Sequence, residues 1–145
     1  MLAINAKRTR TILVVDDCPE MLRYLRFLLE MESYRVETAG NGLEALRRLH
    51  EGCNPDVVLL DMQMPHLDGF RTLKRILKLR PGLKVIMCSG VSDPQKIQKA
   101  AALGARAYLT KPVQQLYLTA ALERCLDAPR PTSGHAVSIA TTRLQ

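Results

Sequence analysis

The chain has 145 residues, of which 47% are hydrophobic, 24% are charged and 4% are aromatic. These values are typical of one soluble domain with an aliphatic core. No apolar run approaches the ~18 residues of a membrane span, and the apolar run near the start is too short for a secretory signal. The net charge of +7 is spread unevenly, since residues 1–10 carry three cations and no acid. The short apolar runs argue against a membrane-spanning or a secreted protein, so we expect a cytoplasmic protein.

The cysteines give no sign of a metal or redox centre. They form no C-x-x-C pair and share no ligand spacing with the three histidines. A zinc site or a thioredoxin-type centre is therefore not expected. The four cysteines are predicted to act as small buried hydrophobic residues.

Short apolar runs alternate along the chain with amphipathic helical patterns. Strands are predicted at 11–15, 34–39, 56–60, 84–88 and 107–109. Helices are predicted at 19–31, 43–50, 69–78, 94–103 and 115–126. Strands that alternate with helices imply an α/β fold with a parallel sheet covered on both faces. Residues 127–145 lose this periodicity and collect Pro, Ser, Thr and Gly, which indicates a tail or the start of a linker.

Polar side chains stand where four of these strands end. Ligands of open α/β sheets bind beyond the carboxyl ends of the strands. Each residue alone also fits a helix cap or a turn, but their joint occurrence at strand ends favours a shared site. The residues are Asp16, Asp17, Asp61, Ser89 and Lys111.

The residue types at these ends indicate phosphoryl chemistry. Three clustered carboxylates repel one another and need a cation, and an all-oxygen site suits Mg²⁺. A lysine and a hydroxyl donate to phosphate oxygens, and a carboxylate can attack phosphorus. We therefore expect an aspartate that accepts a phosphoryl group in a Mg²⁺-dependent reaction.

Two rival classes lack residues that they need. A hydrolase of the haloacid-dehalogenase type would carry a second aspartate two residues after its nucleophile, but Gln63 stands there. A nucleotide-binding domain would carry a glycine-rich loop or P-loop after the first strand, and none is present.

Four motifs carry a resemblance to a known family: LVVDD (13–17), LLDMQMPHLDG (59–69), VIMCSG (85–90) and GARAYLTKP (104–112). On these motifs, residues 10–126 resemble a response-regulator receiver domain of bacterial two-component signalling. The resemblance implies a flavodoxin-like, doubly wound (βα)5 sheet of strand order 2-1-3-4-5. It leaves residues 1–9 as a basic N-terminal arm and 127–145 as a tail.

The resemblance also implies the roles of the acidic residues. Asp61 matches the phosphoacceptor. Asp16 and Asp17 match the acidic pair that binds Mg²⁺ together with Asp61, and the backbone carbonyl of Gln63 matches a further ligand.

The remaining matched positions concern the switch. Lys111 matches the lysine that pairs with the phosphoryl oxygens, and Ser89 matches the hydroxyl that follows the phosphoryl group on activation. Tyr108 matches the aromatic residue that then moves inward from an outward rotamer. Pro112 matches a proline that follows a cis peptide bond.

By resemblance, the chain is a switch that accepts a phosphoryl group from a sensor histidine kinase or a histidine phosphotransfer protein. It would signal through the face formed by the fourth helix, fifth strand and fifth helix, to a downstream output protein or domain or as a homodimer. Apart from its own phosphorylation and dephosphorylation, it would not be an enzyme. Two alternatives stay open: an interaction module of the same shape that needs no phosphorylation, and a receiver cut from a longer DNA-binding regulator.

The third predicted helix carries a cationic stripe that none of these roles uses. Arg71, Lys74, Arg75 and Lys78 repeat at helical spacing, and residues 69–92 hold six cations and no acid. A solvated helix face, a surface for an acidic partner and nucleic-acid binding remain open in that order. Direct nucleic-acid binding is last because no aromatic residues interleave with the cations.

Overall fold

The computed structural model describes residues 9–127 and 140–142. The strands are β1 (Thr11–Val15), β2 (Arg35–Ala39), β3 (Val57–Asp61), β4 (Lys84–Ser89), β5 (Ala107–Thr110) and β6 (Ala140–Thr142). The helices are α1 (Pro19–Met31), α2 (Gly42–His50), α3 (Gly69–Leu79), α4 (Pro94–Leu103) and α5 (Gln115–Asp127). The ten predicted elements are all present, and each boundary differs from the predicted one by at most one residue.

All strand pairs are parallel, and the sheet order is β2-β1-β3-β4-β5-β6. The predicted fold class and the order 2-1-3-4-5 are thereby confirmed. The sixth strand was not predicted: it pairs with β5 at the edge of the sheet, with Ala140 opposite Ala107. The rest of the predicted tail (128–139 and 143–145), and residues 1–8 of the predicted arm, lie outside the described residues.

The sheet separates two apolar cores, which explains the unbroken apolar runs. All five residues of β3 are buried, as expected for a strand that is covered on both faces. On β1, Ile12 and Val14 face the core that contains α1 and α5, whereas Leu13 and Val15 face the core that contains α2, α3 and α4. Within the described part of the chain, no helix has the length and apolar character to cross a membrane.

Side-chain caps fix where the helices on one side of the sheet begin. The Asn41 Oδ1 accepts from the Glu44 N–H at 2.8 Å, and the Asp68 Oδ1 accepts from the Arg71 N–H at 2.9 Å. The Asp93 Oδ1 accepts from the Gln95 N–H at 2.9 Å. Such caps satisfy amide groups that the helix itself leaves unpaired, so they set the lengths of the loops that border the carboxyl edge of the sheet.

The cysteines are free thiols with different environments. Cys88 and Cys125 are buried as predicted, but Cys18 is exposed and Cys53 only partly buried. The prediction was wrong for Cys18 because this residue lies in the loop between β1 and α1 and not on an apolar face. Burial, and then the hydrogen bond of its thiol to the Glu37 carboxylate, raise the pKa of Cys53 to about 11.

Candidate functional site

The parallel sheet brings the predicted site residues to one edge. Asp16 follows β1, Asp61 ends β3, Ser89 ends β4 and Lys111 follows β5. Asp16 and Ser89 are each 2% exposed and Asp61 is 4% exposed, whereas Asp17 is exposed. This edge of the sheet therefore holds a cluster of buried polar side chains, and the exposed Asp17 carboxylate lies between that cluster and solvent.

Lys111 links the two buried carboxylates. Its Nζ lies 2.9 Å from the Asp16 Oδ2 and 3.1 Å from the Asp61 Oδ1. The Asp61 Oδ1 also accepts from the Gln63 N–H at 3.2 Å. The Asp61 Oδ2 accepts no hydrogen bond from the described residues, and it does not occur among their buried side-chain oxygens that lack a partner, so it keeps some contact with solvent. One oxygen of Asp61 is thus held in place while the other is open.

The three acidic side chains form a set that a metal ion can join. One ligand oxygen from each of Asp16, Asp17 and Asp61 lies within 4.8 Å of the others, and no second such group of acid, histidine or cysteine side chains occurs in the described residues. Three carboxylate ligands, one of them exposed to solvent, fit Mg²⁺, because this ion takes few protein ligands and keeps several of its water ligands. Gln63 is exposed, and its N–H faces the Asp61 carboxylate.

Burial and the neighbouring charges both shift the pKa values of Asp61 and Lys111. Burial, followed by the negative charge of Asp16, raises the pKa of Asp61 above its ordinary value, although Lys111 and the Gln63 N–H lower it. For Lys111, burial lowers the pKa, but the hydrogen bonds and charges of Asp16 and Asp61 together outweigh burial, so the pKa is raised. The lysine therefore stays charged at neutral pH, and the site favours a further cation beside the carboxylates.

Ser89 and Tyr108 meet at the backbone of one residue. The Val91 N–H donates to the Ser89 Oγ at 3.1 Å, and the Tyr108 hydroxyl donates to the Val91 carbonyl at 3.0 Å. Tyr108 is 0% exposed, so the structure shows its inward rotamer and not the outward one that was expected. The inward rotamer of Tyr108 is explained by Val91, whose backbone carbonyl accepts the hydrogen bond of the buried hydroxyl.

The loop that carries Lys111 is tied to the end of β4. The Lys111 N–H donates to the Ser89 carbonyl at 2.7 Å, and the peptide bond between Lys111 and Pro112 is cis.

Gly69 holds the loop after Asp61 against the sheet, a role that was not predicted from the sequence. A Cβ at this position would lie 2.6 Å from the Met62 Cα and 2.8 Å from the Asp61 carbonyl oxygen. The Gly69 N–H donates to the Met62 carbonyl at 3.0 Å. Only glycine permits this approach, and the Asp-Gly pair that starts α3 was the available sequence signal.

Comparisons with known proteins agree with this arrangement. The family model for the response regulator receiver domain matches residues 12–123. The chemotaxis protein CheY of Halobacterium salinarum is 34% identical over 119 residues, which are 82% of this chain and 98% of that protein.

Solved structures give the same result. A CheY-like receiver domain protein from Methanospirillum hungatei has a TM-score of 0.77 at 33% identity, covering 83% of this chain and 95% of the other. A CheX–CheY–BeF₃–Mg complex from Borrelia burgdorferi has a TM-score of 0.74 at 27% identity, covering 78% and 86%. The chain therefore belongs to the response regulator receiver domain family, as a CheY-like member.

Proposed function

We propose that the chain is a phosphorylation-activated signalling switch in which Asp61 accepts a phosphoryl group. The donor is the phosphohistidine of a sensor histidine kinase or of a histidine phosphotransfer protein. The observation that carries this proposal is the asymmetry of Asp61: its Oδ1 is held by Lys111 and the Gln63 N–H, while its Oδ2 is open. A fixed carboxylate with one open oxygen is placed to attack phosphorus.

The transfer needs no other covalent group from the chain. The Asp61 Oδ2 forms a bond to phosphorus, the bond between phosphorus and the donor nitrogen breaks, and the electron pair leaves with the imidazole, which takes up a proton. The Lys111 Nζ, 3.1 Å from the Asp61 Oδ1, neutralises charge on the phosphoryl oxygens. Asp16, Asp17 and Asp61 fit Mg²⁺, which supplies further positive charge there when bound.

The contacts at Val91 supply a route from the site to the surface. A phosphoryl group on Asp61 offers acceptors to the Ser89 hydroxyl, and turning towards them would release the Val91 N–H. Val91 also holds the Tyr108 hydroxyl. The change thus reaches the face of α4, β5 and α5 as a shift between two arrangements, and a downstream output protein, an output domain or a second copy would read it there.

Several features bear on the type of protein, its cellular compartment and its partners. The phosphorylated carboxylate belongs to the chain itself, so the chain is a phosphoprotein switch and not an enzyme with a separate substrate. The four cysteines are free thiols, which suits the reducing cytoplasm. In the Borrelia complex, the related CheY is seen with CheX, beryllofluoride and magnesium, which supports the same metal, phosphoryl state and kind of partner here.

Incubation with Mg²⁺ and acetyl phosphate tests the proposal by intact mass. The wild-type chain is expected to gain one phosphoryl group, whereas Asp61→Asn gains none, and removal of Mg²⁺ prevents the gain. Asp68→Asn serves as the matched control, because it changes another acid of the same loop, keeps a side chain able to cap α3, and should still permit the gain.

If wild type neither gains mass nor binds beryllofluoride in the presence of Mg²⁺, the proposal fails. The chain would then be an interaction module of receiver shape that works without phosphorylation.

A further inference from the structure

The cationic stripe on α3 is exposed and has no internal counter-charge. We define the α3 stripe as Arg71, Lys74, Arg75 and Lys78, all of which are exposed. Within the described residues, none of the four forms an ion pair with a carboxylate. The stripe thus presents four uncompensated positive charges to solvent.

Arginines on two other helices of this chain are arranged differently. On α1 and α2, arginine side chains pair with glutamates one turn away, at 3.4–3.9 Å. These pairs are Arg23–Glu20, Arg26–Glu30, Arg47–Glu51 and Arg48–Glu44. α3 itself contains no acid, since residues 69–92 have none, and Asp68, three residues before Arg71, accepts from the Arg71 backbone N–H and forms no ion pair with its guanidinium in the described residues. Like charges one turn apart destabilise a helix, so the stripe lowers the stability of α3.

The stripe is also a fixed surface. The opposite side of α3 packs Leu73 and Ile76 into the core with 0% exposure. At the start of the helix, the Lys99 ammonium of α4 lies 4.4 Å from the centre of the Phe70 ring and adds a cation beside the stripe. Arg80 is excluded from this surface, because its guanidinium donates to the Leu49 carbonyl and to Asn54.

We propose that the α3 stripe is a docking surface for an acidic helix of a partner protein. Its first and last cations are seven residues apart, or about 10 Å along the helix axis. A second helix with glutamates at the same spacing presents carboxylates at matching intervals, and each arginine can receive a carboxylate with two parallel hydrogen bonds. The surface lies on α3 and not on the face of α4, β5 and α5, so it is an interface separate from the proposed output.

The same features argue against nucleic acid as the occupant. Four cations can contact only about four phosphates, whereas a DNA-binding protein makes about six to ten such contacts. No aromatic side chain stands among the four cations to stack a base, since Phe70 is covered by Lys99.

Fluorescence anisotropy with a labelled synthetic peptide tests the docking surface. The probe is a helical peptide with glutamates at i, i+3, i+4 and i+7, and its glutamine version is the control peptide. The stripe variant is Arg71→Gln/Lys74→Gln/Arg75→Gln/Lys78→Gln. The matched variant, Arg23→Gln/Arg26→Gln/Arg47→Gln/Arg48→Gln, removes the same charge from α1 and α2.

The stripe variant is expected to bind the acidic peptide at least about tenfold more weakly than wild type, and the matched variant within about twofold of it. Lys74→Glu should regain binding with a peptide that carries lysine at the facing position. Circular dichroism verifies folding, and single substitutions replace the stripe variant if it unfolds.

Three results would overturn the docking surface: equal losses in both variants, equal binding of the acidic and glutamine peptides, or tighter binding of a mixed-sequence DNA duplex than of the acidic peptide. Phosphoryl gain from acetyl phosphate is expected to be unchanged in the stripe variant. The docking surface and the Asp61 switch can therefore fail independently.

Discussion

Replacement of Lys111 by Met is expected to lower the free energy of unfolding at neutral pH by about 3 kcal/mol, since loss of one partner leaves buried charges uncompensated. The Lys111 ammonium lies 2.9 Å from Asp16 and 3.1 Å from Asp61, and the side chains of these two residues are 2% and 5% exposed. Urea denaturation measures the change. Lys78→Met, which removes an exposed and unpaired lysine of the described residues, is the matched control and should stay within about 0.5 kcal/mol of wild type.

The stability deficit of Lys111→Met, which is the free energy of unfolding that it loses relative to wild type, should depend on pH, and this dependence identifies its cause. The pKa of Asp61 is already raised by burial and by Asp16, with Lys111 opposing, so loss of Lys111 raises it further. A carboxyl whose pKa is higher in the folded than in the unfolded state favours folding when protonated. The deficit of Lys111→Met should therefore shrink as the pH falls through the raised pKa.

The double variant Asp61→Asn/Lys111→Met should recover most of the lost stability at neutral pH. A deficit that is the same at every pH, or that Asp61→Asn fails to reduce, would contradict the electrostatic explanation.

Gly69→Ala is expected to lower the free energy of unfolding by about 2 kcal/mol, a typical effect of overpacking. The added Cβ would lie 2.6 Å from the Met62 Cα and 2.8 Å from the Asp61 carbonyl. Because both atoms belong to the backbone, the strand end that carries Asp61 must shift, and phosphoryl gain from acetyl phosphate should slow as well. Denaturation and time-resolved intact mass measure the two effects.

Gly90→Ala is the matched control for this substitution. Apart from Gly90 and its two chain neighbours, no atom of the described residues lies within 4 Å of a Cβ at this position, so the stability of the variant should stay within about 0.5 kcal/mol of wild type. If Gly69→Ala were as stable as Gly90→Ala, the loop after Asp61 would not depend on this close approach.

The fold and the membership of the site could be predicted because their signals are local. β3 reads as an unbroken apolar run since it is buried on both faces. Asp16, Asp61 and Lys111 each stand at a strand end, and parallel strands place these ends at one edge. Neither inference required knowledge of which side chains touch across the chain.

The features that were missed depend on tertiary contacts. β6 is three residues long and pairs with β5 through its backbone, so it leaves no periodic pattern to detect. The inward position of Tyr108 depends on the Val91 carbonyl, 17 residues away in sequence. The exposure of Cys18 depends on how the loop after β1 turns. Residue type alone specifies none of these three arrangements.

The most direct test of the Asp61 switch is to locate the phosphoryl group chemically. After phosphorylation with acetyl phosphate and Mg²⁺, borohydride reduces an aspartyl phosphate to homoserine, which peptide mass mapping can place in the sequence. The expected result is homoserine at position 61, and none there in a control sample of the chain that was never phosphorylated. Homoserine at Asp16, Asp17 or Asp68 in place of Asp61, or a phosphoryl group found on Ser89, would show that Asp61 is not the acceptor.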